Sequence, residues 1–172
     1  MIYWMLKPDV ENFDGIRLIP GIESVDFPKR FVGKSLAEEW KVKSFSRYDE
    51  DPLGDFPSTP TGSPPVFSPT AWTALASLIE KDVEALPSYI GKEKFYVINI
   101  LTLNDCLDFD KSDSIISNGQ LLHIYYPVIK TECVGNHHIF KIQQLPFGPT
   151  FVSDTFRQTV VEHKLEGLLF PD

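Results

Sequence analysis

The chain has 172 residues, a formal net charge of −8, and 42% hydrophobic and 13% aromatic side chains. Those figures exclude a disordered resting state and a nucleic-acid binder, because phosphate backbones are held mainly by clustered Lys and Arg. No apolar run approaches the roughly 18 residues of a membrane helix, and two cysteines are too few for a disulfide scaffold, so Cys106 and Cys133 are expected as free thiols in a cytoplasmic protein.

Residues 2–6 and 16–19 read as short strands, stopped by Pro8 and Pro20. The opening lacks the basic residues and the apolar length of a signal peptide. Ser35-Leu36-Ala37-Glu38 has capping-box spacing, which predicts a brief helix to Trp40. Lys41–Tyr48 alternates weakly, as a strand. The stretch 51–69 then carries six prolines and two glycines. It suits neither a helix interior nor a central strand, and is expected to wrap the body or connect two lobes.

Ser68-Pro69 opens a helix whose apolar stripe, Trp72, Leu75, Ala76, Ile79, Val83 and Leu86, extends it to about Leu86. It is expected to pack on one sheet built from residues 95–102, 121–130, 138–145 and 166–170. Phe95–Leu101 is apolar almost throughout and so central, which obliges Asn99 to find a partner. Leu122, Ile124, Tyr126 and Val128 share one face of the next strand, and Pro127 puts an edge or bulge there. A turn at Gly135-Asn136 leads to His138–Leu145. In the closing stretch Phe151–Asp172, Val152 ends a strand and Ser153 caps a helix, with Asp154 at its positive end and His163 and Lys164 at the other. Phe156 and Val160 share a face, and Gly167 turns the chain into Leu168-Leu169-Phe170. The fold class is therefore α+β: a mostly antiparallel sheet against one or two helices, with a small irregular N-terminal lobe (1–50), a proline-rich segment (51–69) and a main lobe (70–172) in one domain.

Motifs for catalysis or metal binding fail one by one. Gly33-Lys34-Ser35 resembles the end of a phosphate loop, but the required earlier glycine is Pro28. Asp108–Asp113 alternates oxygen ligands as a calcium loop does, yet Asp113 stands where glycine is needed and Gly119 where the bidentate glutamate belongs. Cys133, His137 and His138 are too few for structural zinc unless Cys106, His123 or His163 joins from afar. A nucleophilic Cys133 or Cys106 paired with a histidine lacks an orienting third group in any recognisable local pattern. No catalytic residue, metal or cofactor is expected. What remains is acidic: Asp49, Glu50, Asp51 and Asp55 at the start of the proline-rich stretch, and Asp105, Asp108, Asp110 and Asp113 after the central strand. With Phe56, Phe67 or Phe109 as apolar anchors, these suit docking on a basic protein.

The succession Ser68-Pro69, Leu86-Pro87, Phe95–Leu101, Asp105–Ser112 and Phe151–Asp172 resembles an immunity family, the eleventh, of bacterial polymorphic toxin systems, over residues 56–172. The resemblance implies a non-catalytic protein that binds and neutralises a cognate toxin, an effector domain of a secretion or polymorphic toxin system such as type VI, by blocking its active site or locking it inactive. On that reading the partner presents a basic surface to Asp49, Glu50, Asp51, Asp55, Phe56, Asp105, Asp108, Phe109, Asp110 and Asp113, and neither nucleic acid nor membrane takes part. The alternatives are an adaptor module of a secretion system and a Cys/His hydrolase.

Overall fold

The computed structural model describes residues 2–19, 26–61 and 64–170, so the expected stop at Pro20 lies outside the described residues. In chain order the elements are β1 (Tyr3–Met5), β2 (Lys7–Pro8), β3 (Ile16–Leu18), β4 (Lys43–Arg47), β5 (Val66–Phe67), α1 (Pro69–Ile79), β6 (Val83–Ile90) and β7 (Glu93–Ile100). There follow β8 (Leu103–Asn104), β9 (Asp113–Ser117), β10 (Gln120–Tyr126), β11 (Ile139–Ile142), β12 (Thr150–Ser153), α2 (Asp154–Glu162) and β13 (Leu168–Leu169). Two helices on a mainly β framework make the protein α+β.

Both helices start as their sequences dictate. Ser68 Oγ accepts the Ala71 N–H at 3.0 Å and Ser153 Oγ accepts the Phe156 N–H at 3.2 Å, each satisfying an amide that the first turn leaves open. Helix α1 is shorter than its apolar stripe predicts. It ends at Ile79, and Val83 and Leu86 belong to β6. The tight turn Gly91-Lys92 pairs β6 with β7 from Val83↔Ile100 to Ile90↔Glu93, and a long two-stranded ladder outweighs two further turns of helix. Pro87 is tolerated because the pairing of β6 with β4 starts only at Ser88.

The expected brief helix at Ser35 is also absent; residues 37–39 form a turn. The Ser35 hydroxyl and the Leu36 N–H both donate to the Glu84 carboxylate instead. Burial pushes the Glu84 pKa up, but these bonds and one from Asn99 outweigh it and hold the group below the ordinary glutamate range. Nδ2 of the buried Asn99 donates to the Lys34 carbonyl at 2.8 Å and to Glu84 Oε2 at 2.9 Å, while its Oδ1 is left without a hydrogen-bond partner among the described residues.

No single sheet gathers the four segments expected in it. Strand β7 lies in a five-stranded sheet of order β3-β4-β6-β7-β5, and β11 in a four-stranded sheet of order β1-β12-β11-β8. Among the described residues, strand β10 pairs with β9 alone, and β13 with β2. Pairs β4–β6 and β11–β8 are parallel; the other pairings are antiparallel.

Three cores result. Helices α1 and α2 bury Leu75, Ile79, Phe156 and Val160 with Ile98 and Ile100 of β7 and Ile139 and Val152 of the four-stranded sheet. The opposite face of β7, with Phe95 and Val97, is covered by Phe27, Phe31 and Leu36, which explains why Phe95–Ile100 is apolar at every position but Asn99. Phe140 and Phe151, stacked at 5.6 Å, face the third core with Leu121, Ile124, Cys106 and Leu107. The proline-rich segment contributes Leu53, Phe56, Val66 and Phe67 to the first two cores, all at most 8% exposed. Its strand, β5, occupies a sheet edge, where its flanking prolines cost no ladder bonds.

A candidate partner-binding face

The segment 101–130 builds the most unusual surface of the molecule. Asn118 (φ 51°) and Gly119 (φ 75°) both have the positive φ of a type I′ turn, and they join β9 to β10 in a two-stranded hairpin. The register slips between Leu121 and His123 and again between Ile124 and Tyr126. These bulges re-aim side chains, so Leu121 and Ile124 point into the third core while Leu122 and Tyr126 are exposed. The expected shared face of Leu122, Ile124, Tyr126 and Val128 is thereby broken.

Five large exposed hydrophobics, Ile115, Ile116, Leu122, Tyr125 and Tyr126, therefore sit on this one hairpin, and Phe147, 54% exposed, stands beside it. Two depressions flank it. One, of about 560 Å³, lies between Leu122–Tyr125 and Met5–Pro8. The other, of about 380 Å³, lies between Ile116 and the turn Gln144–Phe147, with Phe109 at its rim.

That turn is fixed from below. Lys141, 1% exposed, donates from Nζ to the Pro146 carbonyl at 3.0 Å. Burial lowers its pKa to about 8. Between that value and the unfolded 10.5 the unfolded chain binds more protons, so stability rises with pH across this window and the full cost is present below pH 8. The shift corresponds to about 3 kcal/mol between the two protonation states. Lys141→Met is therefore expected to gain up to about 3 kcal/mol on the wild type at pH 7 relative to pH 10.5, in denaturant titrations at the two pH values. An advantage of equal size at both would refute the burial argument.

The acidic loop runs into β9. Asp108 N–H donates to the Val128 carbonyl and Lys130 N–H to that of Cys106, both at 2.8 Å, which holds residues 105–113 along 126–130. Asp105 accepts from Gln144 Nε2. Partial desolvation works to raise the Asp108 pKa, but the hydrogen bond and charge of Lys111, 3.2 Å away, leave it below the ordinary range. Asp105, Asp110 and Asp113 are exposed and Phe109 is half-buried.

The other expected docking residues sit elsewhere. Asp49, Glu50 and Asp51 are exposed at the end of β4, on a different sheet from the hairpin. There the buried Asp14 anchors the turn, accepting from Arg47 Nε at 3.2 Å and the Asp49 N–H at 3.1 Å. Asp55 is a clamp: one oxygen accepts from the Ser68 hydroxyl, the other from the Glu166 N–H at 2.9 Å. Phe56 and Phe67 are buried, 3% and 0% exposed, so they are core residues and not surface anchors.

Cys106 and Cys133 are joined in a disulfide with Cα atoms 5.8 Å apart, which corrects the expectation of free thiols. They lie 27 positions apart in sequence, and the backbone pairing that juxtaposes them is long-range. The Cys/His hydrolase alternative requires this disulfide to be open. His137 and His138 hold buried partners instead of a metal ligand set. Nδ1 of His137 lies 2.5 Å from the buried Asp82, and Nδ1 of His138 lies 2.7 Å from Ser153 Oγ. Ser153 is fully buried and already caps α2, so this pair is architecture. Among the described residues, no three His, Cys, Asp or Glu side chains are grouped to hold a metal ion, and no helix is long and apolar enough to cross a membrane.

Sequence reasoning missed the hairpin, although its signal is explicit. Ser114-Ile115-Ile116 before Asn118-Gly119, followed by Leu121-Leu122, is a strong short-range pattern for a type I′ hairpin.

Comparison with known proteins agrees with the resemblance stated above and narrows its extent. The immunity protein family (Imm11) matches residues 86–172, taking in the hairpin, the disulfide and α2. No curated protein matches the chain. With half of its length matched, the chain belongs to the immunity protein family Imm11.

Proposed function

We propose that the protein neutralises one cognate toxin by binding it, without chemistry of its own, and that the hairpin β9–β10 with the loop carrying Asp105, Asp108, Phe109, Asp110 and Asp113 meets the toxin. The observation that carries this reading is the coincidence, in one segment, of a hairpin exposing five large hydrophobics with a loop of four aspartates. Large exposed apolar side chains concentrated on one hairpin beside charge suit an interaction site. Carboxylates there attract the Lys and Arg of a substrate-binding cleft and speed encounter. An interface of about 1,600 Å² would give a stable pair and cover the toxin's active site or hold it in an inactive shape.

The site of action is the cytoplasm of the producing cell. A disulfide is rare in that compartment, but the Lys130–Cys106 backbone bond and the Leu107–Ile129 bridge hold the same junction without it. Co-expression with the toxin domain encoded beside this protein's gene is the test. Restored growth and a co-eluting complex are expected. Equal killing with the protein present, and no association of the purified partners, would end this reading.

A further inference from the structure

We infer that the toxin is engaged by strand addition: an extended segment of the toxin, alternating apolar with Lys or Arg side chains, pairs along the open edge of β9. This rests on the toxin-binding reading above and specifies its mode. Strand β9 pairs with β10 on one side only. Among the described residues, no backbone bond joins Ser114–Ser117 to a further strand. An edge of unpaired N–H and C=O groups is a template for another chain, and folded proteins ordinarily blunt such edges with Pro or Lys. Here Ser114-Ile115-Ile116-Ser117 offers neither.

A two-stranded ribbon is also marginal by itself, and a third strand stabilises it. The depression of about 380 Å³ on the face that Ile116 shares with its cross-strand partner Leu121, rimmed by Phe109 and Phe147, can receive an apolar side chain that the added strand turns to that face. Main-chain pairing then supplies affinity and the depression specificity.

Charge chooses the occupant and the edge. Asp113 begins β9, and Asp105, Asp108 and Asp110 precede it; the one cation in that loop, Lys111, is tied to Asp108 at 3.2 Å. The larger depression, on the β10 side, is lined by Lys7, whose charge disfavours a basic segment. The β9 side is therefore the complementary one.

The experiment uses the full chain and the toxin domain encoded beside its gene. In the complex, amides of Ser114–Ser117 are expected to exchange at least tenfold more slowly than in the free protein, while those of β4 are unchanged. Ile116→Glu, and Asp110→Lys combined with Asp113→Lys, each change exposed side chains and are expected to melt as the wild type does. Each should weaken binding about tenfold or more, and the lysine pair should also flatten the salt dependence. A complex in which β9 exchanges as in the free protein, or to which these variants bind as tightly as wild type, overturns strand addition and leaves toxin binding standing. No complex at all removes both. A free chain that sediments as a dimer, and becomes monomeric with Ile116→Glu, shows that a second copy covers the edge and also overturns the inference.

Discussion

Replacing Phe67 with Ala is expected to lower the unfolding free energy by about 3–5 kcal/mol, a large fraction of the roughly 5–15 kcal/mol typical of a domain. The side chain is fully buried. Its ring meets Phe56 edge-on at 5.0 Å and Phe156 at 6.3 Å, so truncation opens a cavity where the proline-rich segment, α2 and the helix-facing side of the five-stranded sheet converge. Its backbone is held as well, since β5 pairs Phe67 with Tyr96, and the surroundings cannot collapse freely. The melting temperature should fall by roughly 6–20 °C. Phe147→Ala, at a position 54% exposed, serves as the control and should change stability by less than about 0.5 kcal/mol. A loss below about 1 kcal/mol for Phe67→Ala would mean that the segment 51–69 is draped on the body and not built into it.

Asp55→Ala is expected to cost about 2–3 kcal/mol, the scale of losing hydrogen bonds to a charged group. Two links break together. The Ser68 hydroxyl, which accepts from Ala71 and donates to Asp55, loses the partner that orients it. The Glu166 N–H, 111 residues away in sequence, loses its carboxylate, although the Asp55 N–H to Glu166 carbonyl bond at 2.8 Å survives. Asp55→Asn keeps one acceptor oxygen and should lose about half as much, in equilibrium denaturant unfolding. If Asp55→Ala unfolds with the wild-type midpoint yet binds the toxin less tightly, the clamp is wrong and Asp55 is a contact residue after all.

Asp55 and its neighbour Phe56 also show where sequence reading stops. Asp55 and Phe56 stand beside acidic, proline-rich neighbours and look like surface. Their true surroundings, Ser68, Glu166 and Phe67, are supplied by contacts that periodicity does not encode. The same holds for Val83 and Leu86, whose spacing fits a helical stripe and an alternating strand about equally. Only the partner strand β7 decides between them. Ser35 and Glu38 satisfy a capping pattern, but the Glu84 carboxylate takes the Ser35 hydroxyl first. The missed hairpin is a different kind of failure, because Asn118-Gly119 was there to be read.

The local sequence by itself determined the two helix starts at Ser68 and Ser153, the strand–helix–strand order of the closing segment, the two-faced burial of Phe95–Ile100, and the family wording that binds these pieces together. Each depends on groups a few residues apart, where capping, alternation and turn chemistry act directly. The tertiary structure alone decided which strands share a sheet, which cysteines meet, and which aspartates are anchors and which face solvent. Those outcomes depend on pairings between residues tens of positions apart, fixed when buried apolar faces and unpaired backbone groups find partners across the whole chain.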